Sequence, residues 1–335
     1  MNNYALVITS ISCSENKILQ NYAQKALEHG FRFIVVGDEK SPDNFNLTGC
    51  VFLSLKNQLD SGYELAKHLP TKHYARKNIG YLAAIQNGAT VIIETDDDNY
   101  AKDSFWDKRN DYVQADYYEN VGWLNIYNLF SEENIWPRGF SLEHIKIAPH
   151  TNKVIHKMCY CPVQQGLSDE NPDVDAIYRM ILPLPFNFKK ATSVALGNNA
   201  WCPFNSQNTT WFKEVFMLMY LPSYCSFRMT DIWRSFVVQR ICWENDISIC
   251  FHNATVWQER NEHNLLTDFK DELSGYNYNH EIVKRLSNLK LQKGLTYIPD
   301  NLIACYKIFV DMNLIDKKEL ELIKHWIKDV TILLH

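Results

Sequence analysis

An α/β fold, with a mainly parallel sheet flanked by helices, is the architecture this sequence predicts. Three observations carry the prediction. Short apolar, β-branched runs alternate with helix-period segments through the first hundred residues, the pattern of β-α-β units. The run Val91-Ile-Ile93 is followed almost at once by three carboxylates, Asp96, Asp97 and Asp98. Such a cluster is expected where a buried parallel strand ends in a ligand crevice. The composition, 46% hydrophobic and 22% charged over 335 residues, is that of a globular chain long enough for one large domain or two.

The elements follow in order. Residues 4–11 predict the first strand. Ser14 and Glu15 then open a helix with Leu19, Tyr22, Ala23, Ala26 and Leu27 on one face, and Gly30 stops it. Residues 31–36 and 50–55 predict two more strands, the first closing on Gly37-Asp38. Residues 75–87 predict a helix with Ile79, Leu82, Ala83 and Gln86 on one stripe and Gly88 as its stop. The strand before the Asp triplet comes next. Residues 159–163 predict a strand, and residues 176–181 a short helix after an acidic run. Asp173 and Asp175 at that helix start suit the positive end of the dipole, or alternatively the hydroxyls of a bound ligand. Thr230 or Asp231 is expected to cap a helix running through Cys242, and residues 247–251 form a strand. In residues 281–292, Leu286 and Leu289 lie among Lys284, Arg285, Lys290 and Lys293. This is expected to be a solvated helix face, or else a contact with an anionic membrane surface. Asp316 and Glu319 are spaced as a capping box for a last helix with the stripe Leu320, Ile323, Ile327, Val330 and Leu334. Trp326 is expected in interdomain or dimer packing.

Several function classes can be set aside. A net charge of −5 argues against a nucleic-acid binder held by a general basic field. The nine cysteines are scattered and include no Cys-x-x-Cys pair, which speaks against a zinc ribbon and for a reducing compartment. There is no basic, signal-like N-terminus, and no stretch approaches the ~20 apolar residues of a spanning helix. The expectation is a cytoplasmic chain, with peripheral membrane contact as the variant. No P-loop is present, the first strand ends in Ile8-Thr-Ser-Ile-Ser12 without a glycine-rich turn, and there is no G-x-S-x-G elbow. What remains is a nucleotide site that uses a metal. Hard carboxylate oxygens suit Mg²⁺ or Mn²⁺ shared with phosphate. The bland alternative is a solvated acidic turn.

At this point the residues resemble a family. The stretch Arg76 to Asn99, with its helix, Gly-Ala turn, strand and Asp-x-Asp motif, looks like the core of a GT-A glycosyltransferase. More specifically, the chain resembles the STELLO family of glycosyltransferases. The matching motifs are Trp136-Pro-Arg-Gly-Phe140, Gln165 to Arg179, Pro203 to Thr210 and Ser226 to Arg234, over a span from about Tyr74 to His263. There is a looser likeness to reversibly glycosylated polypeptides, which share the Asp-Asp-Asp strand end. The plant STELLO members carry a membrane anchor and sit in the Golgi, features that are not carried over here.

The resemblance implies a GT-A fold with a mixed, mainly parallel sheet and a C-terminal helical extension. Residues 1–270 would be the glycosyltransferase domain, with 1–100 its nucleotide half and 101–270 its acceptor half. Residues 271–335 would be a helical accessory region. Asp96 and Asp98 would hold Mn²⁺ or Mg²⁺, with His263 as a third ligand and His252 as its substitute. Asp97 and Asp38 would touch the ribose or base. Arg76, Arg234, Arg260 and Asn261 would face phosphate, with Asp231 as an alternative partner for Arg234. Asn205, Ser206 and Gln207 would bind sugar hydroxyls. Asp231 would be the general base of an inverting transfer, although Thr230 stands where such enzymes carry Glu. The partners implied are a nucleotide-diphosphate sugar and a hydroxyl-bearing glycan or lipid-linked acceptor, in glycan or cell-envelope polysaccharide assembly; a homodimer is a further expectation. Two rival readings stay open: another metal-dependent nucleotide-sugar enzyme, a mutase or nucleotidyltransferase, and a non-catalytic nucleotide-sugar-binding scaffold.

Overall fold

The structure, a computed structural model, describes residues 3–147, 154–259 and 264–335. Its first half contains β1 (Tyr4–Thr9), α1 (Lys17–His29), β2 (Arg32–Val36), β3 (Cys50–Leu53), α2 (Leu55–Leu59), α3 (Glu64–His68), α4 (Lys77–Gln86) and β4 (Val91–Thr95). Strands β3, β2, β1 and β4 lie side by side in that order and all pair in parallel. Helices cover both faces, so these strands read as continuous apolar runs rather than alternating ones. Leu6, Ile8, Phe33, Val35 and Ile93 pack under Leu19, Tyr22 and Ala26 of α1. Ala5, Val7, Ile34, Val36 and Ile92 belong to the core on the α4 side.

Two details of these helices differ from the sequence expectation. The cap of α1 is Asn16, whose side-chain oxygen accepts from the backbone N–H of Ile18 at 2.8 Å and Leu19 at 3.1 Å. Ser14 and Glu15 lie outside the helix. Helix α4 is buried from Lys77 to Ile85 rather than along one stripe, because the last helix of the chain packs on its outer side. Gly80 permits its close approach to the sheet, since a Cβ there would sit 2.5 Å from Val7 Cγ1 and 2.6 Å from Val36 Cγ2.

The second half supplies β5 (Asn99–Ala101), β6 (Tyr112–Tyr118), β7 (Gly122–Trp123), β8 (Ile155–Tyr160), β9 (Val163–Asp169), α5 (Ala176–Ile181), β10 (Val194–Leu196), β11 (Ala200–Trp201) and β12 (Asn208–Phe212). It ends with α6 (Thr230–Glu244), β13 (Ile249–Gln258), α7 (Leu265–Asn288), α8 (Ile298–Asp311) and α9 (Glu319–Leu334). The sheet continues from β4 as β12, β9, β13, β10, β6 and β8, with β5 on β13. Here the pairing is mixed. Strand β12 is antiparallel to both β4 and β9, and β9 is parallel to β13. The single strand expected at 159–163 is the junction of two, β8 and β9, separated at Cys161-Pro162.

Helices α6 to α9 share one hydrophobic core with α4 and with that face of the sheet. Trp326 is at its centre, fully buried and donating to the Met217 carbonyl at 2.8 Å. It thus packs the C-terminal helices against Tyr81 and Tyr220 of the first 270 residues, the interdomain role expected of it rather than a dimer contact. The capping box expected at α9 does not form. The Asp316 carboxylate accepts from Lys318 N–H, while Glu319 turns inward to accept from Tyr220 OH and from the N–H groups of Ser223 and Tyr224. The inward stripe of α9 is centred on Leu322, Ile323, Trp326 and Val330, while Leu320, Ile327 and Leu334 are only partly buried beside it. Among the described residues, no helix is long and apolar enough to cross a membrane.

This topology brings three segments to one edge of the sheet. The residue after Thr95 at the end of β4 is Asp96. Antiparallel β12 begins beside it, with Asn208 opposite Thr95, so residues 205–207 lie against the Asp triplet. Strand β13 ends at Gln258 opposite Asn99, which brings it up to Asp98.

Candidate functional site

Two adjoining cavities open where β1, β2 and β4 end. One, about 330 Å³, is lined by Asp96, Asp98, Arg138, Asp173, Ser206 and Asp231 among others. The second, about 270 Å³, is lined by Ser10, Gly37, Asp38, Lys40, His73 and Arg76 among others. Thr9, Tyr74, Asp97 and Phe227 line both, so an edge of two aromatic rings, 4.8 Å apart and T-shaped, separates two parts of one crevice.

The three aspartates occupy three different environments. Asp96 receives the Lys77 ammonium at 2.8 Å, and that fully buried ammonium also donates to the carbonyls of Thr95 at 3.0 Å and Ser206 at 3.4 Å. Burial still pushes the Asp96 carboxyl above its ordinary range, against the pull of Lys77. Asp97 turns towards β1 and accepts from the hydroxyls of Ser10 and Ser12. Asp98 accepts from the Gln258 amide at 2.7 Å. Burial, followed by the charges of Asp96 and Asp97, pushes it up to about 7.

Across the cavity stands a second charged group. Arg138 donates Nε to Asp173 Oδ1 and Nη2 to Asp173 Oδ2, both at 2.8 Å, and reaches Asp231 with Nη1 and Nη2 at 3.1 and 3.2 Å. The turn that holds Arg138 needs Gly139, which has a φ of +84°, and a Cβ there would meet Ile232 Cγ2 at 2.3 Å. Only a glycine lets this turn lie directly on the first turn of α6. Asp231 also accepts from Ser206 N–H at 3.1 Å. Burial alone would raise its carboxyl, but Arg138 and then Arg234 bring it down to about 2. Neither Thr230 nor Asp231 caps α6, which grows directly out of a 3₁₀ turn at Phe227–Met229 with no side-chain cap.

Comparison with known proteins places these features in a family. The family model described as STELLO glycosyltransferases matches residues 228–334, from the turn before Asp231 through the end of α9. "Probable glycosyltransferase STELLO2" of Arabidopsis thaliana is 30% identical over 269 residues, covering 72% of this chain and 34% of that protein. The chain is STELLO-like. "Probable glycosyltransferase STELLO1" of the same plant is also 30% identical, over 241 residues, covering 64% of this chain and 30% of that protein. The chain thus spans about a third of the length of these relatives. Among solved structures, "Crystal Structure of a Mycobacterial Protein" aligns with a TM-score of 0.43 and 10% identity, over 83% of this chain and 74% of that one. The family match runs past His263, where the resemblance read from sequence motifs ends, and takes in the C-terminal helices.

Within the STELLO-like chain, the residues singled out from sequence divide into those at the crevice and those held elsewhere. Asp38, Asp96, Asp97, Asp98, Asn205, Ser206, Gln207 and Asp231 all line it. Asp38 already accepts from the N–H groups of Glu39 at 2.7 Å, within its own turn, and of His73 at 3.0 Å, in the segment leading to α4. The amides expected on sugar hydroxyls face protein partners. The Asn205 side chain donates to Asp173 at 2.8 Å and accepts from Gln207 N–H at 3.0 Å, and Gln207 donates to Asn99 at 3.1 Å. Asn205 thereby helps to hold the Asp173 carboxylate.

Two arginines expected at phosphate are bonded within the protein, Arg76 on the wall of the second cavity and Arg234 away from both cavities. Arg76 reaches the Gln58 amide oxygen at 2.6 Å and the carbonyls of Leu69 at 3.0 Å and Ala66 at 3.4 Å. Arg234 lies in the core and pairs with Glu94 at 2.7 and 3.2 Å, rather than with Asp231 or a ligand. Trp211 and Tyr81 complete the satisfaction of Glu94. Of the acidic pair before α5, Asp175 is its N-cap, accepting from Tyr178 N–H at 2.7 Å, whereas Asp173 belongs to the Arg138 cluster. His252 sits in mid-β13, and its Nδ1 meets the Asn253 carbonyl at 3.0 Å. It lines a different cavity from the Asp triplet. His263, Arg260 and Asn261 lie outside the described residues.

Lys77, Arg138 and Gln258 were given no role by the sequence reading. Lys77 and Arg138 both fall inside motifs that carry the family resemblance, which was the one available signal. That each is buried against a carboxylate is a fact of tertiary structure.

Proposed function

We propose that this chain is a metal-dependent glycosyltransferase of GT-A type, moving a sugar from a nucleotide diphosphate to a hydroxyl acceptor in glycan assembly. The observation that carries this reading is the Asp96–Asp97–Asp98 run, set at a strand end between two cavities and facing Asp231 across one of them. The donor set fits a hard divalent cation. Asp96 and Asp98 offer carboxylate oxygens at the crevice, and Mg²⁺ or Mn²⁺ typically binds through one or two carboxylates and completes its shell with water and substrate phosphate. When bound, the cation would neutralise the diphosphate leaving group. Asp97, fixed by Ser10 and Ser12, is placed for a ribose hydroxyl, and Asp38 lines the neighbouring cavity where a base would lie. Lys77 holds Asp96 in position.

Asp231 is assigned as the general base, taking the acceptor hydroxyl proton onto Oδ1 or Oδ2. The ion pair with Arg138 favours a second reading. A carboxylate held at about 2 is a weak proton acceptor near neutrality. In that reading Asp231 positions Ser206 and Arg138, and the transfer does not invert through it.

The first test is thermal shift with a panel of nucleotide diphosphates, with and without Mn²⁺. At a 100-fold excess over Kd a ligand stabilises by about 2.7 kcal/mol. Mn²⁺-dependent stabilisation by a nucleotide diphosphate, lost in Asp96→Ala and Asp98→Ala, is the expected result. The absence of any nucleotide response would replace the enzyme reading with an acidic turn on a binding scaffold. Asp231→Asn separates the two roles of Asp231: a base variant keeps donor binding and loses turnover, and a positioning variant keeps turnover.

A further inference from the structure

A second cluster of metal-ligating side chains lies away from the crevice. Glu143 and His144 sit on the short 3₁₀ turn Leu142–His144, and His280 projects from α7. One ligand atom from each lies within 4.8 Å of the other two. Among the described residues this is the only group of three His, Cys, Asp or Glu side chains that converges in this way. The Asp triplet does not.

The geometry points to a transition-metal site, of the Zn²⁺ class, that ties this turn to α7. Two imidazoles and a carboxylate are a borderline-soft, three-ligand set that leaves a fourth position for water. His144 Nδ1 lies 3.0 Å from Ser141 Oγ, which leaves Nε2 to face the metal. An oxygen partner on the far ring nitrogen is the usual way a protein fixes a ligating histidine. The rings of His144 and His280 stack nearly parallel, 14° apart with centroids at 5.5 Å, and Glu143 reaches His280 at 3.8 Å. Around the cluster, Trp123 packs against the His144 ring at 6.0 Å. Side chains of Glu143 and His280 are 72% and 48% exposed, so an ion has access and the ligands have freedom to close on it.

The placement gives the site a structural consequence. The turn follows directly on the Arg138–Gly139 loop, and Asn279, next to His280, donates to the Gly139 carbonyl at 2.8 Å. An ion shared by His144 and His280 would fasten the loop carrying Arg138 to α7. The ligand chemistry also separates the two sites. Imidazoles favour Zn²⁺, whereas the all-carboxylate Asp96–Asp98 site suits Mn²⁺ or Mg²⁺.

The test is Zn²⁺ titration of the full chain, stripped with a chelator, against a chromophoric competitor. One equivalent should bind, and His280→Ala should weaken it at least about tenfold. Ser141→Ala should weaken it less. Excess Mg²⁺ should not displace the ion. His280 is exposed, so its variant is expected to fold normally, and circular dichroism checks this. Co²⁺ in place of Zn²⁺ should give the visible absorption of a four-coordinate N/O site in the wild type alone. If Zn²⁺ fails to bind, or binds His280→Ala as tightly as the wild type through cysteines such as Cys13, the proposal is overturned. Because Asp96→Ala leaves this site intact, its failure is distinguishable from failure of the nucleotide–Mn²⁺ reading.

Discussion

Replacing Arg138 with Met removes the cation shared by Asp173 and Asp231 while keeping side-chain volume. In the native chain the Asp231 carboxyl is brought from 3.8 to about 2, which corresponds to roughly 2 kcal/mol of folding stability above pH 4. Without Arg138 two nearly buried carboxylates remain, with 13% and 5% side-chain exposure. Breaking a buried pair in this way costs about 3–5 kcal/mol. The sign of the pH dependence is the sharper test. In the wild type Asp231 is depressed, so its contribution is complete above its unfolded pKa and is lost only as pH falls through about 2. In Arg138→Met the largest counter-charge is gone, and burial is expected to outweigh the remaining pull of Arg234 and the Ser206 N–H; the carboxyl then titrates above its unfolded value and the variant regains stability as pH falls from neutrality. Urea midpoints at about pH 7 and about pH 5 should therefore show a gap between the two proteins that narrows on acidification. A gap that is constant across this range would refute the shared-cation account.

Other consequences are open to the same kind of measurement. Arg234→Met and Glu94→Gln should each destabilise by about 3–5 kcal/mol, and the double variant by much less than their sum, in a denaturation cycle. Additive losses would mean that the pair is not coupled. Mn²⁺ affinity at the crevice should rise with pH through about 7, because Asp98 must lose its proton to bind; calorimetry across that range checks it. Glu319→Ala removes the acceptor for Tyr220, Ser223 and Tyr224 and should cost roughly 2–4 kcal/mol. Early amide exchange at residues 220–225 would locate that loss.

The elements most legible in the sequence were those whose burial is set by local pattern. Strands β1, β2 and β4 and helix α1 follow their apolar runs closely, and α5 falls where the acidic run predicts it. What could not be read was decided by partners distant in sequence. Helix α4 reads as amphipathic but is buried all round because α9, more than two hundred residues later, covers its outer face. The antiparallel insertion of β12 between β4 and β9 has no local signature, since residues 198–210 look like an amide-rich loop. The same insertion brings Asn205, Ser206 and Gln207 to the Asp triplet, so their position was legible only through the family motifs.

The charges show this limit most clearly. An arginine near an acidic motif reads equally well as a phosphate ligand or as an internal counter-ion, because composition does not reveal which carboxylate it faces. In this chain Arg76 and Arg234 hold the scaffold, while Arg138 and Lys77 stand at the crevice. Arg138 and Lys77 are themselves bonded to carboxylates, so a diphosphate beside the Asp triplet would meet ion pairs there, with Lys40 and Arg76 on the wall of the neighbouring cavity. A cation held by the aspartates would add positive charge at the triplet itself. Asp98, raised to about 7 by burial and by its two neighbours, is where an added cation relieves the most repulsion, whether that cation is a proton or a metal. On the proposed reading, the nucleotide and the metal are therefore expected to bind together. On the same reading Asp98→Ala, which removes the repulsion along with the ligand, should abolish the metal dependence without unfolding the chain.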